Sequence, residues 1–250
     1  MPRFRVRSSV KKGIFVNTAS YRELLRKFKG LKREHGKVLH VLGAPGTGKS
    51  TNIYMALKEA RLNVLDLELQ LSGDSLSSGE IYSEFLNSLM DQTTSSSKQE
   101  VFKRFSDFDA VLFADRFQDA NKFHPENVGF SRWTHRAGFS ALRFYILCVR
   151  DYLKYRKEFQ RANIIFQTVW RIKFRGGKYD AFIDLGLLSF LLVRILGMLF
   201  ETVEISYSEE ETVKIVKKQV DAPESEIKEL IKKYGCRPRF ICMELEGEFF

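Results

Sequence analysis

The stretch that most constrains this chain is GAPGTGKS, residues 43–50, which satisfies G-x-x-x-x-G-K-[ST] in full. It follows the apolar run VLHVLG and precedes TNIYMALKEA, a helix-forming segment. A strand that opens through glycines into a helix leaves a cradle of backbone N–H groups, and the start of the helix adds partial positive charge to it. Such a cradle takes a phosphate. The residues expected to grip it are Gly43, Ala44, Pro45, Gly46, Thr47, Gly48, Lys49, Ser50 and Thr51. Lys49 is placed to reach the β and γ phosphates, and the Ser50 hydroxyl is a hard oxygen suited to Mg²⁺.

The rest of the chain alternates. Residues 18–35 read as a basic amphipathic helix, with Tyr21, Leu24, Leu25 and Phe28 at helical spacing, Ser20 and Glu23 as a capping box and Gly36 as its end. Strands are expected at Leu62–Gln70, Ala110–Asp115 and in NIIFQTVWRI, with helices at Ile81–Met90 and Phe139–Phe159. Gln92–Glu100 reads as a surface loop. Phe182–Phe200 is the most apolar stretch, but Asp184 and Arg194 interrupt it, which favours a buried helix over a membrane span. TVEISYS and TVKIVKKQ read as two strands joined by an acidic turn at Glu209–Glu211, PESEIKELIKKYG as a helix, and RFICMELE as a last strand.

This order predicts one α/β domain over residues 1–250: a mainly parallel central sheet flanked by helices, with C-terminal antiparallel strands. Residues 1–37 form its basic N-terminal segment and leading helix.

A triphosphate site needs further groups. AVLFAD ends on Asp115, a carboxylate at a strand end that would hold the Mg²⁺ water shell; Asp107, Asp109 and Asp119 are nearby alternatives. Glu68, in a D-x-E with Asp66, is the candidate to orient or deprotonate an attacking water, one sheet position from the phosphate loop if the two strands are neighbours.

With these residues in place the chain resembles the RecA/RadA/KaiC-like P-loop ATPases, from the phosphate loop to the C-terminus. The resemblance implies ATP and Mg²⁺ as ligands, Glu68 as the catalytic glutamate and Asp115 as the Walker-B aspartate. It makes Gln167, in NIIFQT, the residue that senses the γ phosphate, so that Lys49, Glu68 and Gln167 form the catalytic set. VKIVKKQVDAP resembles a strand whose lysines reach a neighbouring subunit's nucleotide; Lys217 matches the first such lysine, while Gln219 stands at the second. The resemblance also implies a homo-oligomer and single-stranded DNA as partner. The loops that would contact DNA carry Arg132, Trp133 and Arg136, and Arg171, Lys173, Arg175 and Lys178. Cations mixed with aromatics suit a phosphate backbone with stacked bases, though basic loops also serve solvation or a subunit interface.

The net charge of +10 agrees with an anionic partner without naming it. Three cysteines with no ligand spacing, and no apolar run after MPRFRVRSSVKK, fit a cytoplasmic protein without a secretory signal. Two other functions use the same motif: a KaiC-like regulatory ATPase with a protein partner, and a small-molecule kinase with Arg171–Lys178 as a lid.

Overall fold

The computed structural model describes residues 15–66, 78–107, 111–113, 146–147, 149–151, 153–158, 162–168, 171–174 and 177–247. In chain order the elements are α1 (Ala19–Gly30), β1 (Val38–Leu42), α2 (Lys49–Ala60), β2 (Val64–Asp66), α3 (Ser78–Thr93), α4 (Lys98–Asp107), β3 (Val111–Phe113) and β4 (Asn163–Gln167). They continue with β5 (Arg171–Phe174), β6 (Gly177–Asp180), α5 (Leu187–Leu199), β7 (Glu201–Glu204), α6 (Glu209–Lys217), α7 (Glu224–Tyr234) and α8 (Pro238–Leu245).

Five strands form one sheet in the order β2-β3-β4-β1-β7, and each neighbouring pair is parallel. All five residues of β1 are buried, as expected for a strand covered on both faces. Its apolar side chains meet α1 through Tyr21, Leu24, Leu25 and Phe28, and α2 through Ile53, Tyr54, Ala56, Leu57 and Ala60, in one core. The Tyr54 ring meets Phe113 edge-on at 5.4 Å, joining α2 to β3.

Polar side chains set where α1 starts and where the chain turns into β1. Thr18, not Ser20, caps α1, accepting from the Tyr21 N–H at 3.2 Å. The Ser20 hydroxyl instead donates to the Ser206 carbonyl, which fastens the start of α1 to the segment after β7. The helix ends at Gly30, short of Gly36, and the turn that follows is held by Asn163. The Asn163 amide donates to the Leu31 and Glu34 carbonyls at 2.9 and 2.8 Å and accepts from the Lys37 N–H at 3.0 Å.

Four expectations are corrected. Gln92–Glu100 is not a loop: α3 runs to Thr93 and α4 begins at Lys98, with Glu100 folding back to accept from the Ser96 N–H and hydroxyl. The stretch 171–180 is not an open loop but an antiparallel hairpin, β5 with β6.

The apolar helix is not buried. Of α5 only Ser189 is buried, while Leu187 and Met198 are 87% and 74% exposed. It packs against β7, at the margin of the sheet, so its apolar character did not place it inside. Among the described residues no helix is long and apolar enough to cross a membrane.

The C-terminal antiparallel strands are the fourth correction. β7 pairs parallel with β1, and the two later segments are helices. Ser208 and Glu211 form a reciprocal capping box that starts α6, so the acidic turn is a helix entrance. The buried residues Thr212, Val213 and Val216 lie at helical spacing, which the alternation of Val213 and Ile215 hides. Pro238 occupies the first turn of α8, where its missing N–H costs nothing. Helices α6, α7 and α8 pack around their own small core of Val213, Val216, Ile227, Ile231, Ile241 and Cys242.

His40, in the middle of β1, is the one titratable group among the buried residues of that strand. Its ring stacks on Phe166 at 5.1 Å and its Nδ1 lies 2.8 Å from the Thr168 hydroxyl. Burial lowers its pKa from 6.5 to about 4. The unfolded chain therefore takes up the proton first as pH falls. The stability tied to neutral His40 is complete above pH 6.5 and is lost on the way down to about pH 4, by about 3 kcal/mol in total. Urea unfolding at pH 7, 5.5 and 4.5 is expected to show a steeper loss in the natural chain than in His40→Leu; parallel curves would contradict it.

Candidate nucleotide-binding site

The loop between β1 and α2 is built as its sequence predicts. Lys49 begins α2 yet is only 6% exposed, and its ammonium turns back to donate to the Gly43 and Ala44 carbonyls at 2.5 and 3.1 Å. The Thr47 hydroxyl donates to the Ala44 carbonyl at 2.8 Å, closing the loop on itself. The long α2 directs its N-terminal N–H groups and partial positive charge at whatever the loop holds.

Gln167 is the second sequence candidate that arrives at the loop. It ends β4, the strand beside β1, and its side-chain oxygen accepts from the Ser50 hydroxyl at 2.9 Å. The start of α2, which follows β1, and the end of the neighbouring strand β4 thus meet at the loop. Ser50 and Gln167 contribute a hydroxyl and an amide oxygen, hard donors that fit Mg²⁺. Among the described residues no group of three His, Cys, Asp or Glu could hold a metal by itself.

Glu68, Asp115, Arg132, Trp133, Arg136 and Arg175 lie outside the described residues. The strands that lead toward Glu68 and Asp115 are present, and they run parallel to β1 in register, Asp66 opposite Phe113 and Phe113 opposite Ile165. One expectation changes: β2 is not next to β1. It stands at the edge of the sheet, with β3 and β4 between them.

Lys217 does not match its expected setting. It is the last residue of α6, not part of a strand, and it forms an exposed ion pair with Glu224 at 3.2 Å. Gln219 follows in the turn after that helix. Arg171 and Lys173 are on β5 and Lys178 is on β6, where Lys173 stands directly opposite Lys178.

The structure adds residues that the sequence did not point to. The Arg239 N–H of α8 donates to the Gly46 carbonyl at 3.1 Å. Gly46 has φ +90°, and a Cβ there would sit 3.4 Å from the Phe240 ring, so α8 closes against the loop. Arg237 pairs with Asp184 at 2.7 Å, tying the same corner to the turn before α5. From below, Tyr207 donates to the Thr47 carbonyl at 2.7 Å. These contacts join positions far apart in the chain, and no local spacing announces them.

A parallel sheet with the G-x-x-x-x-G-K-S loop between β1 and α2 defines an α/β domain of the P-loop class. No family model matches the chain, and no curated protein does. Among solved structures it is similar to the Walker-type ATPase PABY2304 of Pyrococcus abyssi, with TM-score 0.49 and 16% identity, covering 96% of this chain and 69% of that one. It is also similar to a DNA replication initiation factor, with TM-score 0.41 and 16% identity over 93% of this chain and 63% of that one. A third similar structure is AMPPCP-bound DnaA from Aquifex aeolicus, with TM-score 0.41 and 15% identity, again covering 93% of this chain and 63% of the other. The chain thus spans under two thirds of the length of the last two.

Proposed function

We propose that the chain binds ATP with Mg²⁺ at Gly43–Thr51 and hydrolyses it, as a RecA-like ATPase that couples turnover to single-stranded DNA and works as a homo-oligomer. The observation that carries the nucleotide reading is the joint placement of Lys49, Ser50 and Gln167 at the mouth of β1 and β4.

In this reading the loop N–H groups and the Lys49 ammonium grip the β and γ phosphates, and Lys49 leaves its carbonyl partners to do so. Ser50 would hold Mg²⁺, with Asp115 as its acidic partner; the ion, when bound, neutralises charge on the phosphate oxygens. Glu68 accepts a proton from the attacking water as its oxygen bonds to the γ phosphorus and the bond to the β–γ bridging oxygen breaks, giving ADP and phosphate. Gln167 senses the γ phosphate in this scheme, a role supported by its contact with the Ser50 hydroxyl at 2.9 Å. Lys217 has no part in this scheme.

The DNA half rests on the cationic hairpin. Arg171 and Lys173 on β5 and Lys178 on β6 bring three basic residues to one hairpin, with Lys173 and Lys178 in register across it, a concentration of cations that suits an anion beside it. A nucleic-acid backbone supplies that anion and the bases to stack on Trp133. The kinase reading loses an argument against it, because among the described residues one strand, not two, lies from Glu201 onward. It gains no observation of its own.

The test is ATP turnover with and without single-stranded DNA. Turnover is expected to rise with DNA, and Glu68→Gln is expected to lower it at least about a hundredfold while Mg²⁺-ATP still binds. Unchanged hydrolysis in Glu68→Gln would move the catalytic role elsewhere. Absence of both DNA stimulation and salt-dependent binding would remove the DNA half.

A further inference from the structure

We propose that Tyr207, with Asn52, positions the phosphate-gripping loop for nucleotide, although Tyr207 lies beyond β7 and outside the motif; the proposal rests on the nucleotide-binding reading above. The Tyr207 hydroxyl donates to the Thr47 carbonyl at 2.7 Å and accepts from Asn52 Nδ2 at 2.8 Å. The other hydrogen of that amide goes to the Gly48 carbonyl at 2.9 Å.

A trans peptide sets its C=O and N–H on opposite sides. Holding the Thr47 and Gly48 carbonyls toward Tyr207 and Asn52 therefore aims the Gly48 and Lys49 N–H groups away from these two side chains. Those N–H groups are the ones a phosphate needs. The Gly48 carbonyl is held as well by the Asn52 backbone N–H at 3.0 Å, so the Thr47 carbonyl is the one that Tyr207 fixes; released from the hydroxyl, it is free to turn toward the phosphate oxygens, where it repels.

Two features separate this arrangement from ordinary packing. The chain of donors has one direction: the Thr47 carbonyl can only accept, so the hydroxyl donates to it and the amide must present its nitrogen. That orientation leaves Asn52 Oδ1 buried and without a hydrogen-bond partner among the described residues. A flipped amide would press its oxygen against the Gly48 carbonyl, so the loop contact prevails over the needs of Oδ1. Burial also pushes the Tyr207 pKa up to about 12, so the hydroxyl remains a donor well into the alkaline range.

Tyr207 is itself held at a joint. Ser206 exchanges hydrogen bonds with the Ser20 hydroxyl at 2.5 and 3.2 Å, and Ser208 caps α6. Glu211 of the same capping box also accepts from the Ala19 N–H at 2.8 Å. The loop is therefore set by the segment that carries the chain from the sheet into the C-terminal helices.

Tyr207→Phe keeps the ring and removes only the hydroxyl. The experiment titrates a fluorescent ATP analogue with Mg²⁺ into the natural chain, Tyr207→Phe, Asn52→Ala, the double variant and Lys49→Ala, and records each melting temperature without nucleotide. Tyr207→Phe is expected to raise Kd about 5- to 20-fold. Asn52→Ala should do the same, and the double variant should be no weaker than the weaker single one, because both act through one chain of hydrogen bonds. Melting temperatures that fall while Kd stays within twofold would overturn the proposal and leave a structural contact. Losses of affinity that simply add would overturn it as well. If the natural chain fails to bind the analogue, the nucleotide reading has failed and this proposal with it; binding lost in Lys49→Ala but unchanged in Tyr207→Phe sinks the positioning role alone.

Discussion

Lys49→Ala is expected to lower ATP turnover at least about a hundredfold and to weaken nucleotide binding about tenfold or more, with little change in fold. The ammonium is buried at the head of α2 and rests on the Gly43 and Ala44 carbonyls. It is the one cation of GAPGTGKS, and away from water the attraction of such a charge to phosphate is far stronger than on the surface. Removing it leaves the helix start, which alanine favours, and Thr47 still closes the loop on Ala44. Turnover measured with saturating Mg²⁺-ATP, beside a thermal melt, separates loss of chemistry from loss of fold. Activity within twofold of the natural chain would refute the role given to Lys49.

Gly43→Ala should damage both fold and site. Gly43 has φ +150°, and a Cβ there would meet the Ile205 carbonyl at 2.7 Å, Thr47 Oγ1 at 3.1 Å and the Lys49 stem at 3.3 Å. The closest of these is backbone, and it cannot move freely because the Ile205 N–H donates to the Leu42 carbonyl at 2.8 Å, extending the β1–β7 pairing. Backbone strain and the clash together are expected to cost about 3 kcal/mol of stability or more, and to abolish nucleotide binding in whatever folded protein remains. Urea unfolding and nucleotide titration on the same preparation check both parts. Stability within about 0.5 kcal/mol of the natural chain would show that β7 yields, against this account.

Much of the core was legible because its signals are local. GAPGTGKS carries its own geometry in its glycines and flanks, and VLHVLG reads as a buried strand from composition alone. Tyr21, Leu24, Leu25 and Phe28 show helical spacing and are all buried. The C-terminal third was misread where two local signals compete. In TVKIV the β-branched residues favour a strand, whereas the capping box of Ser208 and Glu211 favours a helix, and packing against α7 and α8 decides for the helix. Likewise α5 is apolar enough for an interior but lies at the margin of the sheet, because exposure depends on what packs beside a helix and not on its own residues.

The sequence by itself determined that a glycine-rich turn joins a buried strand to a helix, since sterics and N–H directions within eight consecutive residues suffice for that. Only the tertiary structure decided the company it keeps. The order β2-β3-β4-β1-β7 brings Gln167 to Ser50 and sets β2 two strands further out. Tyr207 and α8 reach the loop through contacts between distant parts of the chain. Such contacts form when separate apolar faces find one another in a single core, and nothing in the spacing of neighbouring residues records which faces meet.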